Sequence, residues 1–489
     1  MNFRGVWIIP LILCAGCASA PDRKAPPIHI HVPGSWTAGT DSSAAAPPDT
    51  WWTSFDDTTL NTVVTESLDH NFDLVAAAAR VEQSAAQGRI AAADLWPQLN
   101  ANGTAARTRT NILGFPTPSG KQNIEIRSST FGVSLDLGWE LDLWGRLRKG
   151  HAAAAADVEA AWADFAAARL SIAAQTAHAY FAVVASRLQV NLAQRTVESY
   201  DRSARRVRAR YEQGVRGAVD LRIARASLQN GRAALEMRRR QFDVAARELE
   251  ILMGRYPSAR ITTAVKLPDV AGPVPAGLPS LLLIRRPDLL AAERRYAAAE
   301  ARVSQARRAF FPRITLTGSG GTQSNTLRDI TNLDFGVWRL AAGLVQPIFQ
   351  GGRLRANLSL SHAVSDQALA HWAQAMLRAF GDVETALTSE KTLAARETFV
   401  SQAAHESEAA QRLAERQYAS GLIDYITLLE TQRQTFAAQS EQITARRELL
   451  DARVNLYLAL GGGFDARSQW TEFLESHTPA PSTSNGGSR

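Results

Sequence analysis

Cysteine is almost missing from this chain of 489 residues: there are two, Cys14 and Cys17, both within the first twenty positions. No disulfide framework can therefore hold the mature protein together. Methionine is nearly as scarce, at four including Met1, so a thioether cluster for a soft metal ion has no support. The greasiest stretch, Val6 to Leu13, falls far short of the ~20 residues a membrane-spanning helix needs. Behind Met1-Asn2-Phe3-Arg4 it reads as the core of a secretory signal. Phosphate-cradling and dinucleotide-binding glycine motifs do not occur, and no nucleophile, base and orienting group recur near one another, which disfavours an enzyme. Glycine and proline are absent from His151 to Gln213, a run of 63 residues, and from Arg353 to Ser420 the only breaker is Gly381. As continuous helix, at ~1.5 Å per residue, each run would be roughly 95–100 Å long. Such rods cannot make a globule by themselves and must pack along one another or along partner chains.

What the chain does contain is written twice. Asn71-Phe72-Asp73-Leu74, Trp96-Pro97 and Gly103 return 215 positions later as Arg286-Pro287-Asp288-Leu289, Phe311-Pro312 and Gly318. Trp144-Gly145-Arg146-Leu147-Arg148 returns as Gly351-Gly352-Arg353-Leu354-Arg355 at an offset of 207, which also relates Tyr211 and Gly214 to Tyr418 and Gly421, and Gly254 to Gly461. One register change of eight residues lies between Gly103 and Gly145. The period far exceeds the ~50 residues of a solenoid unit, so two pseudo-equivalent halves of one architecture are expected. They span about 51–267 and 280–462, with a linker at 268–279.

Small residues Ala15 and Gly16 ahead of Cys17 resemble the bacterial lipobox, in which the cysteine becomes the acylated first residue of the mature protein. Cys14 stands where that pattern usually has leucine, so cleavage before Cys14 and an ordinary cleaved signal peptide stay open as alternatives. With Cys17 as the first residue, 1–16 is the leader and 17–50, rich in Pro, Ala and Ser, an extended tether. His29 and His31 within it read as incidental. Residues 463–489 are a polar tail.

Period-two patterning appears at four places. From Phe131 to Leu141 every odd position is apolar and every even one small or polar, as in a strand with one greasy and one wet face. Leu99 to Ala105 is a weaker partner, and in the second half the even positions are apolar in Ile314 to Ser319 and Val337 to Leu344. The expected strands are 98–109, 128–143, 313–324 and 335–349, with a loop at 110–127; the long helices are 146–213 and 353–420. Alternating strands of about ten residues in a secreted chain fit a transmembrane β-barrel, although a soluble sheet packed on helices would alternate too. Closure discriminates between the possibilities. Four strands cannot form a barrel, open edges are not tolerated in lipid, and eight strands leave an interior filled by side chains. Three chains give twelve strands and a lumen.

Arginine is dense between Arg202 and Arg247, and the net charge is +7. Behind a signal peptide and without interleaved aromatics this is a solvated helix face or docking surface rather than a nucleic-acid site. His178, on an alanine-rich helix, reads as a packing residue.

Taken in order, Trp51-Trp52-Thr53-Ser54-Phe55, Asn71-Phe72-Asp73-Leu74, Trp96-Pro97, Trp139-Glu140-Leu141-Asp142-Leu143-Trp144-Gly145, Arg210-Tyr211-Glu212-Gln213-Gly214, Arg285-Arg286-Pro287-Asp288-Leu289, Gln346-Pro347-Ile348-Phe349-Gln350-Gly351-Gly352 and Gln417-Tyr418-Ala419-Ser420-Gly421 resemble the outer membrane factor family, the TolC-like ducts, in their NodT-type lipoprotein branch. The resemblance covers about residues 50 to 462. It implies a mainly helical, internally duplicated homotrimer with four strands per chain in a twelve-stranded outer-membrane β-barrel and a periplasmic barrel of helices. It also implies an equatorial band from the chain ends and residues 256–279. Such ducts are passive exits of tripartite pumps, coupled through a periplasmic adaptor to an inner-membrane transporter, here of RND type. The only covalent addition expected is lipid on Cys17, with no other cofactor and no metal. In related ducts an apolar residue, an acid and an arginine narrow the periplasmic end; the matching positions are Ile426, Glu430 and Arg433, with Glu where relatives often have Asp. Their spacing of four and three puts them on one helical face. The first-half positions Val219, Ile223 and Ala226 carry no charge. A lipid-anchored periplasmic adaptor or scaffold is the competing reading, but it leaves the four alternating segments unexplained.

Overall fold

A computed structural model describes residues 47–464 apart from positions 119, 263, 271 and 273, together with residue 30 and residues 32–38. Cys14, Cys17, the expected leader and most of the tether and tail lie outside the described residues. The first half contains helices α1 (Thr58–His70) and α2 (Phe72–Ala93), strands β1 (Gln98–Thr117) and β2 (Gly120–Leu141), and helices α3 (Arg146–Glu212) and α4 (Ala218–Leu252). The second half repeats the order with α5 (Leu282–Arg285), α6 (Pro287–Arg308), β3 (Arg313–Ser324), β4 (Gly336–Val345), α7 (Arg353–Ala419) and α8 (Tyr425–Ala459). The long helices match to the residue, with 67 in α3 and in α7 and 35 in α4 and in α8. Among the described residues no helix is long and apolar enough to cross a membrane. The chain divides into two compact units, one made of residues 82–160 with 293–371 and the other of the remaining described residues.

The first unit holds an antiparallel sheet of order β1-β2-β3-β4, with β1 and β4 as its edges. Its register explains the change of parity between the halves. Leu99 faces Leu137, Leu137 faces Gly318, and Gly318 faces Leu340; one row on, Ala101, Leu135, Gly320 and Trp338 follow one another across the sheet. Odd positions of the first hairpin thus share a face with even positions of the second, and the four strands form one apolar face. The opposite face carries Asn100, Asp136, Ser319 and Arg339 in a row. On β2 the polar positions Ser134, Asp136 and Glu140 are half-buried, while Val133, Leu135 and Leu137 are exposed. On this strand that is the reverse of a soluble sheet and fits a wall around a wet interior, whereas on β3 Ile314 and Leu316 are half-buried and Thr317 is exposed.

Two strand expectations are corrected. Residues 110–127 are not a loop: β1 and β2 pair through Ile112 and Ile124, cross an irregularity before Phe115, and turn only beyond Thr117. Pro116 is compatible because β1 is an edge strand, where a missing N–H costs no ladder bond. The last strand stops at Val345 rather than 349, since Pro347 cannot donate to the ladder, and Ile348 and Phe349 stand almost fully exposed. Below the sheet Asp142 caps α3 by accepting from the N–H groups of Leu147 (3.1 Å) and Arg148 (2.8 Å), and Trp144 stacks on Phe311 while donating to the Pro312 carbonyl at 2.7 Å.

In the second unit the main core joins Trp51, Phe55, Leu60 and Val64 to Tyr180, Phe181, Leu249, Leu450 and Tyr457. Asp57 caps α1 through Thr59 and Leu60 and also accepts the Tyr180 hydroxyl at 2.7 Å. The duplication extends to contacts. Asn71 Nδ2 donates to the Leu252 carbonyl (2.9 Å), and its counterpart Arg286 donates through Nη1 to the Ala459 carbonyl (3.4 Å). Gly254 packs on the His70 carbonyl as Gly461 packs on that of Arg285. The segment around residue 36 is not a free tether. Trp36 is 5% exposed and donates to the Gly277 carbonyl at 2.9 Å, while Glu384 accepts from the N–H groups of Thr37 and Ala38. An indole with a satisfied N–H gains by burial, and the carboxylate satisfies the flanking backbone.

Candidate functional site

The expected gate lies where α3 turns into α4 and α7 into α8. Both turns are closed in the same way. The N–H of Gly214 bonds to the Tyr211 carbonyl and that of Val215 to Arg210; Gly421 and Leu422 repeat this with Tyr418 and Gln417. These are paired helix-terminating bonds around a left-handed residue, with φ of 71° at Gly214 and 79° at Gly421. The following helices start differently. Asp424 caps α8 by accepting from the Thr427 N–H at 2.8 Å, whereas α4 begins at Gly217 with no side-chain cap. The hydrogen bond from the Thr427 side chain, then that from its N–H, hold the Asp424 carboxyl below its ordinary range.

Behind the turns the two helical hairpins meet in a small core of Tyr200, Val207, Leu221, Leu228, Tyr418, Tyr425 and Leu428. Tyr418 and Tyr425 pack at 6.1 Å between centroids, and Tyr200 meets Phe436 edge-on at 5.8 Å. Burial pushes the Tyr425 hydroxyl up to about 12. Two polar links cross this joint. Arg210, near the end of α3, donates to the carbonyls of Tyr418 and Ala419, both at 3.0 Å, and lies over the Tyr418 ring at 4.6 Å. Gln432, 1% exposed, donates to Ser199 (3.0 Å) and Ser203 (3.2 Å).

Ile426, Glu430 and Arg433 all lie on α8, and all are exposed. Glu430 Oε2 and Arg433 Nη1 are 4.0 Å apart, a loose pair with both side chains more than half exposed. Both lie close enough to Tyr200 to act on its hydroxyl, which burial raises, with Arg433 opposing and Glu430 adding to the shift. In the first half Val219 is exposed and Ile223 half-buried. Cys17 lies outside the described residues.

The model of the outer membrane efflux protein family matches residues 63–255 and 278–462, each block coinciding with one structural half. The chain belongs to this family. It is 32% identical over 467 residues to the pyoverdine export outer membrane protein OpmQ of Pseudomonas putida, covering 95% of this chain and 98% of OpmQ. Its fold matches the Campylobacter jejuni CmeC outer membrane channel with a TM-score of 0.84 and 25% identity, over 94% of this chain and 98% of that one. It also matches the open state of the Neisseria gonorrhoeae MtrE outer membrane channel with a TM-score of 0.78 and 29% identity, over 92% and 99%. This outer membrane efflux protein is an efflux-channel component of the cell outer membrane, mainly helical, with four strands per chain.

In this efflux protein the sequence places Arg210 within an arginine-rich stretch that reads as a solvated helix face or docking surface, whereas it bonds across to α7; Gln432 carries no reading from sequence. The second had a signal: Tyr425, Leu428, Leu429, Gln432 and Phe436 follow helical spacing, so the glutamine is a polar intruder in an apolar stripe. Arg210 had none, because its acceptors are backbone carbonyls 208 and 209 positions away.

Proposed function

We propose that three copies of this chain pair β4 of one with β1 of the next, closing a twelve-stranded barrel whose polar face lines a passive, water-filled duct. The supporting observation is a sheet with both edges free and one continuous apolar face, on whose second strand the polar positions are more covered than the apolar ones. Strand order β1-β2-β3-β4 places unlike edges at the two ends, which suits a head-to-tail contact that closes by rotation. Four long helices per chain continue the duct into the periplasm, where an adaptor links it to an inner-membrane transporter of RND type. The cargo is small toxic molecules or drugs, and no bond chemistry takes place. Cys17 carries the lipid anchor. Three copies of Ile426, Glu430 and Arg433 narrow the periplasmic end, and opening separates the hairpins at the joint held by Arg210 and Gln432.

Disulfide trapping tests closure. Cysteines scanned along β1 at Leu99, Ala101 and Gly103 against Leu340→Cys on β4 should give covalent trimers for at least one pair. Bands no larger than dimers, or a soluble monomer once Cys17 is replaced, would leave the adaptor or scaffold reading in its place.

A further inference from the structure

The outward face of the first hairpin changes character just above the apolar band. Odd positions of β1 and β2 carry the band as far as Ala105 opposite Phe131. The next odd positions are Arg107 opposite Ser129, Arg109 opposite Arg127, and Asn111 opposite Glu125. Three guanidinium groups thus follow directly on the greasy face, at the end of the strands remote from α2 and α3. At ~3.4 Å per residue Arg107 is roughly 7 Å beyond Ala105 along the strand, or about 5 Å along the membrane normal at a tilt of ~45°. Arg109 is roughly twice as far. The headgroup layer adds about 5–8 Å on each side of the hydrocarbon, so Arg107 falls within it and Arg109, with Arg127 opposite, at its outer margin.

Glu125 organises the cluster: Arg109 Nη2 lies 2.6 Å from its Oε2, and Arg127 Nε bonds to its Oε1. One carboxylate cannot occupy all the N–H donors of two guanidinium groups, and these side chains remain 60% and 62% exposed. Arg107 is exposed as well. The cluster has a formal charge of +2, three arginines against one glutamate. The second hairpin offers nothing like it, since the outward positions of β3 beyond Gly320 are Thr322 and Ser324. Guanidinium forks suit phosphate oxygens, and at this depth the phosphates are those of lipid.

We propose that Arg107, Arg109 and Arg127 bind the phosphate groups of anionic lipid headgroups in the exterior leaflet and so fix the depth of the barrel. This rests on the barrel reading, which makes the apolar face the outer one. The test uses full-length protein in nonionic detergent, mixed with lipid A (a bis-phosphorylated acylated disaccharide), the same lipid without its phosphates, or inorganic phosphate at matched phosphate concentration. Native mass spectrometry counts lipid per chain. Wild type should retain lipid A at a concentration at least tenfold below that needed by R107Q/R109Q/R127Q, and E125Q should retain more than wild type. Should the triple variant fold poorly, R107Q alone should weaken retention about threefold. Equal retention by wild type and variants, or equal retention of the phosphate-free lipid, overturns the proposal. Inorganic phosphate that displaces lipid A at matched concentration overturns the lipid as the source of the phosphate. Cross-linking the same samples separates the two readings: intact trimers without discrimination sink the lipid site alone, whereas missing trimers sink the barrel.

Discussion

At the scale of single residues, the repeated glycines are explained by contact rather than by flexibility. Gly461 has φ of +88°, and a Cβ there would lie 2.1 Å from the Arg285 carbonyl oxygen; at Gly254 the corresponding values are +69° and 2.5 Å from His70. Gly461→Ala therefore combines left-handed strain of about 1–3 kcal/mol with a backbone collision. It should lower the thermal midpoint of the detergent-solubilised protein, and more than Gly381→Ala, which meets open space inside a helix. The residues proposed for the gate behave differently. Glu430 and Arg433 are exposed and loosely paired, so their loss should leave stability within about 0.5 kcal/mol. Glu430→Ala with Arg433→Ala should nonetheless raise single-channel conductance in planar bilayers. Unchanged conductance would remove them from the constriction.

At the scale of elements, the interesting contacts are those that hold one helical hairpin to the other. Arg210 bonds to carbonyls at the end of α7, where the helix dipole favours a cation. Hydrogen bonds to a charged group contribute about 1.5–3 kcal/mol, and less here because the side chain is half-exposed. Arg210→Ala should speed amide exchange in residues 416–424 relative to the rest of α7 and raise open probability; unaltered exchange there would deny it a latching role. The Glu250 side chain ties the inter-repeat segment to α4. Burial raises its pKa, but bonds from the Ala259 N–H, the Arg260 N–H and the Ser258 side chain outweigh that and leave it lowered. A depressed carboxylate pKa stabilises the fold above the unfolded value of about 4.3, and that contribution is lost as pH falls through the folded value. Wild type should lose more stability than Glu250→Gln between pH 5 and pH 3, measured by denaturant midpoints; parallel pH profiles would contradict this.

At the scale of the whole molecule, which face of the sheet meets lipid decides nearly everything else. Leu340 is in the middle of the apolar band, in the row of Leu99, Leu137 and Gly318. Leu340→Arg should cost about 2–4 kcal/mol, as for a charge near the bilayer midplane, and reduce the yield of heat-modifiable folded trimer. Ser319→Arg, one residue from Gly318 on the same strand but on the polar face, should fold normally and alter conductance. Equal tolerance of the two substitutions would mean that the faces are not lipid and lumen.

The sequence by itself determined the duplication, the two long helical rods and the alternation of the strands, because helix and strand periods are local and breakers mark their ends. Its motifs were enough to point to the family. Only the tertiary structure decided that β1 and β2 continue past residue 109, since Pro116, Pro118 and Gly120 interrupt the local pattern there, and it is the cross-strand pairing that brings Ile112 opposite Ile124. The same holds for the docking of Trp36 on Gly277, the Arg210 bonds to Tyr418 and Ala419, and the shared face of odd and even positions. Each depends on residues far apart in the chain, or on the register between two strands, and neither leaves a trace in local spacing.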